Sequence, residues 1–507
     1  MTNDKLKIGR SGSLGAQCAA LWRENRLPFL AGLFAGLAAH GYAFANKLLN
    51  HDEIESLFGK GATVTSGRWG LEPVKLLFPD RSMPWIYGIL SLLLISAAAC
   101  LILRVLDIKG TALRVVLPAL VLTFPSLTGN FCFMFTSAAY AWSFLLAALS
   151  VFLFCRGGIR NALLSAAALV LALGIYQAYI SVAATLFVLL MLRDTLDGER
   201  SVPEIIRFGV KALAMMLGAI VVYYGVTLLV FRVTGAEFNS YVTENVNGAV
   251  SLPRRVRMAY DNFFYIFSFR NFYLITSEGL RYLHIALGLA TLAALIFLAL
   301  RTKNLLRMAL TGVLVILLPL SICCMFLIMS RESIHTLVMY SFVCVYLLMG
   351  LTAERLRGIG GVSAGALLSV PLAAVVLGNV YFANMCYLKL TLQYENARAF
   401  YTTLIARVEG TEGFDENCTL ALVGRQENLL HEFPELDTDL FMGVNRELVN
   451  IYSRENLLRF YLGLDLPLAD EAQTQALEND PRVLAMAEYP YDGSVQKLDD
   501  MIVVRLG

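Results

Sequence analysis

Charged residues are scarce in this 507-residue chain, where Asp, Glu, Lys and Arg together make up 16% and hydrophobic residues make up 57%. Soluble domains carry roughly 25% charged residues, so this composition excludes an ordinary soluble protein. The net charge is only +2, and no nucleic-acid partner is predicted. Long apolar runs dominate instead, and they predict a polytopic membrane protein whose surroundings are the lipid bilayer.

Metal-ligand and nucleotide-binding motifs are also missing. The nine cysteines include no Cys-x-x-Cys pair and no Cys/His spacing typical of zinc ligands. Most of them lie singly inside apolar runs, where a thiol packs as a small hydrophobic group. Cys386 and Cys418 could form one disulfide outside the cell. The chain has no GxGxxG, P-loop or GxSxG motif, no internal repeat, and no cleavable signal sequence before the first apolar run.

Apolar runs of roughly 20 residues predict transmembrane helices. The fifth and sixth runs are short, and the turn 175–181 between them has almost no polar length, which favours a broken or partly re-entrant pair. The sequence predicts about 11 spans in all, at Leu27–Ala45, Trp85–Leu106, Ala112–Leu127, Phe131–Phe154, Leu163–Tyr176, Ala178–Leu192, Gly209–Phe231, Tyr282–Leu300, Leu305–Met329, Thr336–Leu351 and Val362–Phe382.

Basic residues lie in every second connection between these spans, as the positive-inside rule requires. Residues 1–26 are therefore predicted to be a cytoplasmic N-terminal segment. Loops 46–83 and 232–281 then face the outside, and the odd number of spans places the C-terminal part outside as well.

Residues 232–281 break the charge pattern, because they are external by this topology but contain six arginines and a dense run of aromatic residues. Arg254, Arg257 and Tyr260 follow Pro253, a residue that often begins a helix. The pattern predicts a helix lying in the outer membrane interface. Such a helix is either an anchor without a ligand or the border of a groove that receives an anionic lipid.

Residues 384–507 carry 21 acidic and 10 basic residues, whereas the rest of the chain is basic, and this contrast indicates a second domain. Apolar stretches at 418–425, 482–490 and 501–507 are typical of short strands separated by polar helical segments. The predicted fold class is therefore an all-α polytopic membrane domain at residues 27–383, followed by a small extracytoplasmic α/β domain at residues 384–507.

Loop 46–83 contains the residues best suited to catalysis. Asp52 and Glu53 lie just beyond the first span, and carboxylates at a membrane boundary are costly unless they serve a polar cavity. A transferase that moves a sugar onto a hydroxyl needs such a group as its base. The alternative is an ordinary solvated loop.

Four residues are candidates for binding a sugar or an acceptor: Trp69, Glu72, Gln177 and Tyr179. The Trp69 ring could stack on a sugar, although interfacial tryptophans are also common membrane anchors. Gln177 and Tyr179, in the turn of the broken pair, offer amide and hydroxyl groups to a sugar, or else contacts between packed helices.

Arginine suits the phosphate of a lipid-linked donor, because its guanidinium fork matches phosphate oxygens. Arg68 is one candidate. Arg331 and His335, in the outer loop between the ninth and tenth spans, are four residues apart and would share a helix face. In the alternative, Arg331 simply pairs with Glu332.

Taken together, these features resemble the bacterial glucosyltransferases that modify O-antigen and related envelope polymers (the Gtr type II family), part of the wider GT-C class. The resemblance covers roughly residues 27–382 and does not clearly include the tail. The acidic pair of that family is usually Asp-Asp, so Glu53 leaves open which carboxylate is the base. The matching features are Asp52-Glu53, Gly67-Arg68-Trp69, Tyr176–Tyr179 and Arg331.

The resemblance implies a GT-C-like enzyme of the bacterial cytoplasmic membrane that uses a polyprenyl-phosphate-linked hexose, in particular glucose. It implies inverting transfer to a hydroxyl of an envelope glycan, with polyprenyl phosphate as the leaving group. No cofactor is expected: some GT-C enzymes hold a divalent metal, but a single acidic pair argues against a required one here. A donor synthase and a flippase are the implied protein partners.

Two other functions remain open at this stage. An envelope polysaccharide polymerase would have its decisive groups in residues 232–281. A carrier or flippase for lipid-linked sugars would show internal repeats and charges near mid-span.

Overall fold

The computed structural model of the protein describes residues 14–57, 63–77, 81–245, 250–267, 278–329, 336–357, 363–424, 433, 436, 444 and 448–506. The chain forms two compact units. The first unit comprises Met1–Asn46 and Ala62–Asn384, and the second comprises Lys47–Gly61 and Met385–Gly507.

The first unit is helical. Within the described residues, nine helices are long and apolar enough to cross a membrane, and the protein is a multi-pass membrane protein. The helices of this unit are α1 (Leu14–Ala45), α3 (Leu71–Val74), α4 (Pro84–Val105), α5 (Thr111–Thr123), α6 (Pro125–Cys132), α7 (Met134–Cys155), α8 (Ile159–Ile175), α9 (Ile180–Asp197), α10 (Val202–Thr234), α11 (Ser240–Asn245), α12 (Leu252–Phe267), α13 (Glu278–Arg301), α14 (Leu305–Ile322), α15 (Cys344–Arg355) and α16 (Ala364–Glu409), the last of which contains the boundary to the second unit.

The prediction of about 11 spans differs from the structure at two places. Helix α8, the predicted fifth span, has 17 residues and is shorter than each of the nine helical segments long enough to cross a membrane, of which Thr111–Cys132 is one. The predicted tenth span, Thr336–Leu351, begins with the 3₁₀ turns Thr336–Val338 and Tyr340–Val343 and continues as α15, which has 12 residues. Every residue from 340 to 353 is buried, and irregular backbone at membrane depth is tolerated where protein surrounds it.

Two chain breaks shape the interior of the first unit. The predicted third span is split into α5 and α6 at Phe124, because Pro125 has no backbone N–H to continue the helix. The predicted broken pair consists of α8 and α9, joined by the extended residue Tyr176 and a 3₁₀ turn over Gln177–Tyr179. This second break carries two of the predicted site residues.

Helix α12 is the described part of the predicted interfacial segment. One face is buried against the rest of the unit through Met258, Ala259, Phe263 and Ile266. The ring of Phe263 stacks on that of Phe342, with centroids 5.8 Å apart. The helix is therefore amphipathic, although its aromatic residues lie on both faces, since Phe264 and Tyr265 are exposed.

The second unit contains a mixed sheet of three strands in the order β1-β3-β2, where β1 is Thr419–Val423, β2 is Val495–Leu498 and β3 is Met501–Arg505. Strand β1 pairs in parallel with β3, Leu420 opposite Ile502, and β2 pairs antiparallel with β3. The helices of this unit are α2 (His51–Glu55), the end of α16, α17 (Ile451–Asn456), α18 (Glu471–Glu478) and α19 (Pro481–Leu484), and a π-helical turn covers Leu457–Tyr461.

Three expectations for the tail need correction. The predicted strand 482–490 begins inside α19, which Asp480 caps by accepting a hydrogen bond from the Arg482 backbone. Strand β2 was not predicted, because its residues are mostly polar and its middle is exposed. The cysteines at 386 and 418 are both buried free thiols, so the disulfide that the sequence left open does not form.

The acidic part of loop 46–83 belongs to the second unit, which includes Lys47–Gly61. Leu49 and Ile54 are fully buried in the main core of the second unit, with Tyr401, Leu420 and Val504. Burial of such side chains stabilises a fold by roughly 1.5–3 kcal/mol each. Two apolar residues of the loop thus join it to a core built mainly from residues after 385.

Candidate functional site

The acidic helix α2 begins where Asn50, in extended conformation, caps it: the Asn50 side chain accepts a hydrogen bond from the Glu53 backbone, 2.9 Å away. Ile54 of this helix is buried in the core. Because successive helical residues point about 100° apart, Asp52 and Glu53 cannot share a direction.

Asp52 is the accessible carboxylate, with 39% of its side chain exposed. Its Oδ1 accepts a hydrogen bond from the hydroxyl of Tyr452, 3.0 Å away. His51 Nε2 lies 3.7 Å from the same oxygen. Among the described residues nothing bonds the other oxygen, Oδ2, so one oxygen is held and one is available to a substrate.

Glu53 is the inaccessible carboxylate, with 0% of its side chain exposed, and it pairs directly with Lys47. A buried carboxylate of this kind needs its counter-charge. Two adjacent acidic residues thus occupy opposite environments, and the geometry favours Asp52 as the one that could reach a substrate.

Glu55 is the last residue of α2. Its carboxylate accepts a hydrogen bond from Asn456 Nδ2 at 3.1 Å. Partial burial, and then the neighbouring carboxylates Glu455 and Asp52, raise the pKa of Glu55 above its usual value. The site therefore holds three acidic groups close enough to influence one another.

The Gly67-Arg68-Trp69 triplet belongs to the first unit. Gly67 has the left-handed φ of +70°, which a side chain rarely adopts. Gly70 donates its backbone N–H to the carbonyl of Gly174, 2.7 Å away at the end of α8. This contact joins the triplet to the break between α8 and α9.

Arg68 lies on the aromatic residues of the helix break. Its Nη1 donates to the hydroxyl of Tyr140 at 3.0 Å, and its guanidinium lies 5.3 Å from the ring centre of Tyr176. The rings of Tyr140 and Tyr176 stack at 4.0 Å. An arginine held by stacking and hydrogen bonding has a guanidinium of fixed orientation.

Trp69 packs its indole directly over Gly174, where a β-carbon would come within 2.6 Å of the ring. The indole also stacks on Tyr223 of α10, with centroids 6.4 Å apart. Tyr223 donates its hydroxyl to the carbonyl of Gly67 at 3.0 Å. These contacts explain the position of the indole, whether or not it also contacts a sugar.

Gln177 and Glu72 are engaged in holding the same segment. Gln177 Nε2 donates to the Ser66 carbonyl at 3.0 Å and to the Tyr223 hydroxyl at 2.8 Å. Glu72 accepts from Thr63 Oγ1 at 2.5 Å and pairs with Lys75 at 2.8 Å. Both residues therefore have a structural role, and their predicted contacts with a sugar stay a prediction.

Tyr179 is buried, which separates it from the other predicted sugar-binding residues. Its hydroxyl accepts from Asn130 Nδ2 at 3.2 Å, and its ring packs on those of Phe144 and Tyr340. Of the two interpretations that the sequence left open for Tyr179, the geometry favours packing between helices.

The remaining predicted residues fall in two groups. Arg331 and His335 lie outside the described residues. Arg254 and Arg257 are exposed on α12, where Arg257 lies 3.4 Å from Asp261. Tyr260 donates its hydroxyl to the carbonyl of Ile316 at 2.6 Å. The exposed arginines give α12 a basic outer face.

Within the described residues, no group of three or more His, Cys, Asp or Glu side chains is placed to hold a metal ion. The chemistry available is that of an accessible carboxylate in the second unit and of an oriented guanidinium with aromatic neighbours in the first. Groups of these two kinds can serve as a base and as an anion-binding group.

Sequence reasoning missed Lys47, Tyr223 and Tyr452. Lys47 and Tyr452 contact the acidic helix from within the second unit, and Tyr223 orders the Arg68 segment. Only Lys47 is near its partner in sequence, so no local pattern could have identified the two tyrosines.

We expect Gly70→Ala to lower the rate of the predicted transfer reaction by roughly 10- to 100-fold, because displacing a functional group by about 1 Å can cost that much. The new β-carbon would lie 2.7 Å from the Gly174 carbonyl carbon, a backbone atom that cannot rotate away. The matched control is Gly225→Ala in α10, where nothing lies within 4 Å of the added carbon. Turnover assays on both purified variants test this, and equal rates would contradict it.

A family model described as Glucosyl transferase GtrII matches residues 41–346, more than half of the chain. The match spans the acidic helix, the Arg68 segment and the α8–α9 break. Neither a curated protein nor a solved structure matches the chain significantly.

Proposed function

This chain belongs to the glucosyl transferase GtrII family, and from that premise we propose that it transfers a hexose, in particular glucose, from a polyprenyl-phosphate donor to a hydroxyl of an envelope glycan. The observation that carries the proposal is the family match over residues 41–346. The protein is a glycosyltransferase of a membrane-bound family.

We assign the base to Asp52. Its carboxylate would take the proton of the acceptor hydroxyl through Oδ2 as the acceptor oxygen attacks the anomeric carbon. The bond from that carbon to the phosphate oxygen breaks at the same time, and polyprenyl phosphate leaves with the electron pair. Attack opposite the leaving group inverts the anomeric configuration. The exposure of Asp52 and the burial of Glu53 support this assignment.

We assign stabilisation of the leaving phosphate to Arg68, together with Arg331 and His335. Negative charge grows on the phosphate as the bond breaks, and a guanidinium already held in place stabilises it without reorganising. The stacking of Arg68 on Tyr176 and its hydrogen bond to Tyr140 support the role. The assignments of Arg331 and His335 rest on the sequence alone.

We place the reaction at the outer face of a bacterial cytoplasmic membrane, with the N-terminus in the cytoplasm. The alternation of basic connections supports this orientation. The basic face of α12, with Arg254, Arg257 and the neighbouring Tyr260, would border the groove by which the anionic lipid enters. The second unit would dock the acceptor, and a donor synthase and a flippase would supply the lipid-linked sugar.

The test is a transfer assay with the purified full-length protein in lipid vesicles. We expect glucose from radiolabelled polyprenyl-phosphate-glucose to appear in the envelope glycan of the bacterium that encodes the chain, with no added metal and with no transfer from a sugar nucleotide. Loss of activity in Arg257→Ala but not in Asp52→Asn would instead indicate a polymerase. Labelled lipid crossing the vesicles without transfer would indicate a carrier. Against that alternative, the buried charged residues Arg193 and Asp194 form an ion pair with each other.

A further inference from the structure

We propose that Tyr452, which no sequence motif marks, is a positioning residue for Asp52, so that the C-terminal part of the chain completes the catalytic base. The inference rests on the proposed function, because it takes Asp52 as the base. The observation behind it is the hydrogen bond from the Tyr452 hydroxyl to Asp52 Oδ1, at 3.0 Å, between residues 400 positions apart.

The hydrogen bond selects one oxygen of the carboxylate. Tyr452 and His51 both approach Oδ1, and this leaves Oδ2 directed elsewhere. A phenol that donates to one carboxylate oxygen holds the carboxylate in one orientation. It also fixes the side-chain rotamer, and catalytic geometry depends on such fixing.

Tyr452 is itself rigidly supported. It lies in the first turn of α17, where Asn450 and Ser453 form a reciprocal capping box with bonds of 3.1 and 3.0 Å. Ser453 is fully buried. The ring of Tyr452 meets that of His51 edge to face, with centroids 6.0 Å apart. The hydroxyl is thus aimed at Asp52 by a capped helix end and by an aromatic contact.

A second contact ties the same two helices together. Asn456, one turn after Tyr452, donates through Nδ2 to the Glu55 carboxylate at 3.1 Å and to the backbone carbonyls of Ile54 and Glu55 at 3.4 and 3.3 Å. Asn456 therefore holds helix α2 both at the Glu55 side chain and at its C-terminal backbone carbonyls. Tyr452 and Asn456, one turn apart on α17, both contact the helix that carries the base.

The surroundings of Asp52 argue that Tyr452 has more than a packing role. Half of the Tyr452 surface is exposed, so the ring contributes little to a core. Glu55 on α2 and Glu455 on α17 add negative charge beside the helix, while Lys47 pairs with Glu53. Tyr452 is a neutral hydroxyl donor to Asp52 Oδ1, with His51 beside it.

The experiment is Tyr452→Phe in the full-length enzyme, assayed with radiolabelled polyprenyl-phosphate-glucose and the envelope glycan. We expect kcat to fall by roughly 10-fold or more, while KM for both substrates and the thermal midpoint stay unchanged, because the phenyl ring keeps the contact with His51. Tyr491→Phe is the matched control: that tyrosine of the same unit is 72% exposed, and its substitution should leave kcat unchanged.

A double-mutant cycle separates positioning from a general effect on the fold. In an Asp52→Asn background, Tyr452→Phe should cause no further loss, because the group that it positions is already disabled. An equal fold-loss in both backgrounds, or full kcat in Tyr452→Phe alone, would overturn the proposal for Tyr452 while leaving Asp52 as base. Full activity of Asp52→Asn would remove both the assigned base and this inference.

Discussion

Asp52→Asn is expected to lower kcat for glucosyl transfer by about 10³-fold, within the range of roughly 10²- to 10⁴-fold that general-base catalysis contributes. The amide keeps the shape of the side chain, and Tyr452 can still donate to its oxygen. It cannot take a proton from an acceptor hydroxyl. The substitution therefore removes the chemistry while leaving the hydrogen-bonded position of the residue at 3.0 Å from Tyr452.

The measurement is a steady-state transfer assay on the purified variant beside Asp492→Asn, an exposed aspartate of the same unit that should behave as wild type. KM for the donor should stay close to its original value, because Asp52 is not assigned to phosphate binding. A variant that turns over at the wild-type rate would show that another group is the base.

Glu53→Gln is expected to destabilise the protein by about 3 kcal/mol, the lower end of the 3–5 kcal/mol typical of a broken buried ion pair. The Glu53 side chain is fully buried against Lys47. The amide leaves the Lys47 charge without its partner. The lower end applies because about a quarter of the Lys47 side chain stays exposed to solvent.

Thermal unfolding in detergent measures this effect, with Glu478→Gln, an exposed residue of α18, as the matched control. We expect the midpoint to drop by several degrees in Glu53→Gln and not in the control. The fraction that remains folded should retain most of its kcat. An unchanged midpoint combined with a 10³-fold loss of kcat in Glu53→Gln would indicate that Glu53, and not Asp52, is the base.

The contrast between these two predictions comes from a single turn of helix. Neighbouring residues on α2 point in different directions, and Ile54 is buried in the core while Asn50 fixes where the turn begins. Glu53 is consequently turned inward and Asp52 outward. The glutamate of the pair is thus the inward residue, and its carboxylate reaches Lys47.

The sequence by itself determined the class of the protein and its family. Apolar runs long enough to cross a bilayer are local properties, and nearly all of those predicted correspond to helices in the structure. The break between α8 and α9 and the strands at 419–423 and 501–505 are likewise local and were predicted from residue type. The acidic pair and the Arg68 triplet were short but sufficient to indicate the glucosyltransferase family that the comparison shows.

Tertiary structure alone decided which side chains meet. No local pattern assigns residues 47–61 to the unit formed by residues after 385, because that assignment follows from the burial of Leu49 and Ile54 in a distant core. The partners Tyr452 and Tyr223 are chosen in the same way, by packing between segments far apart in the chain. Hydropathy reports how each segment partitions between water and an apolar environment, whereas a hydrogen bond depends on angles and distances that exist only after the chain has folded.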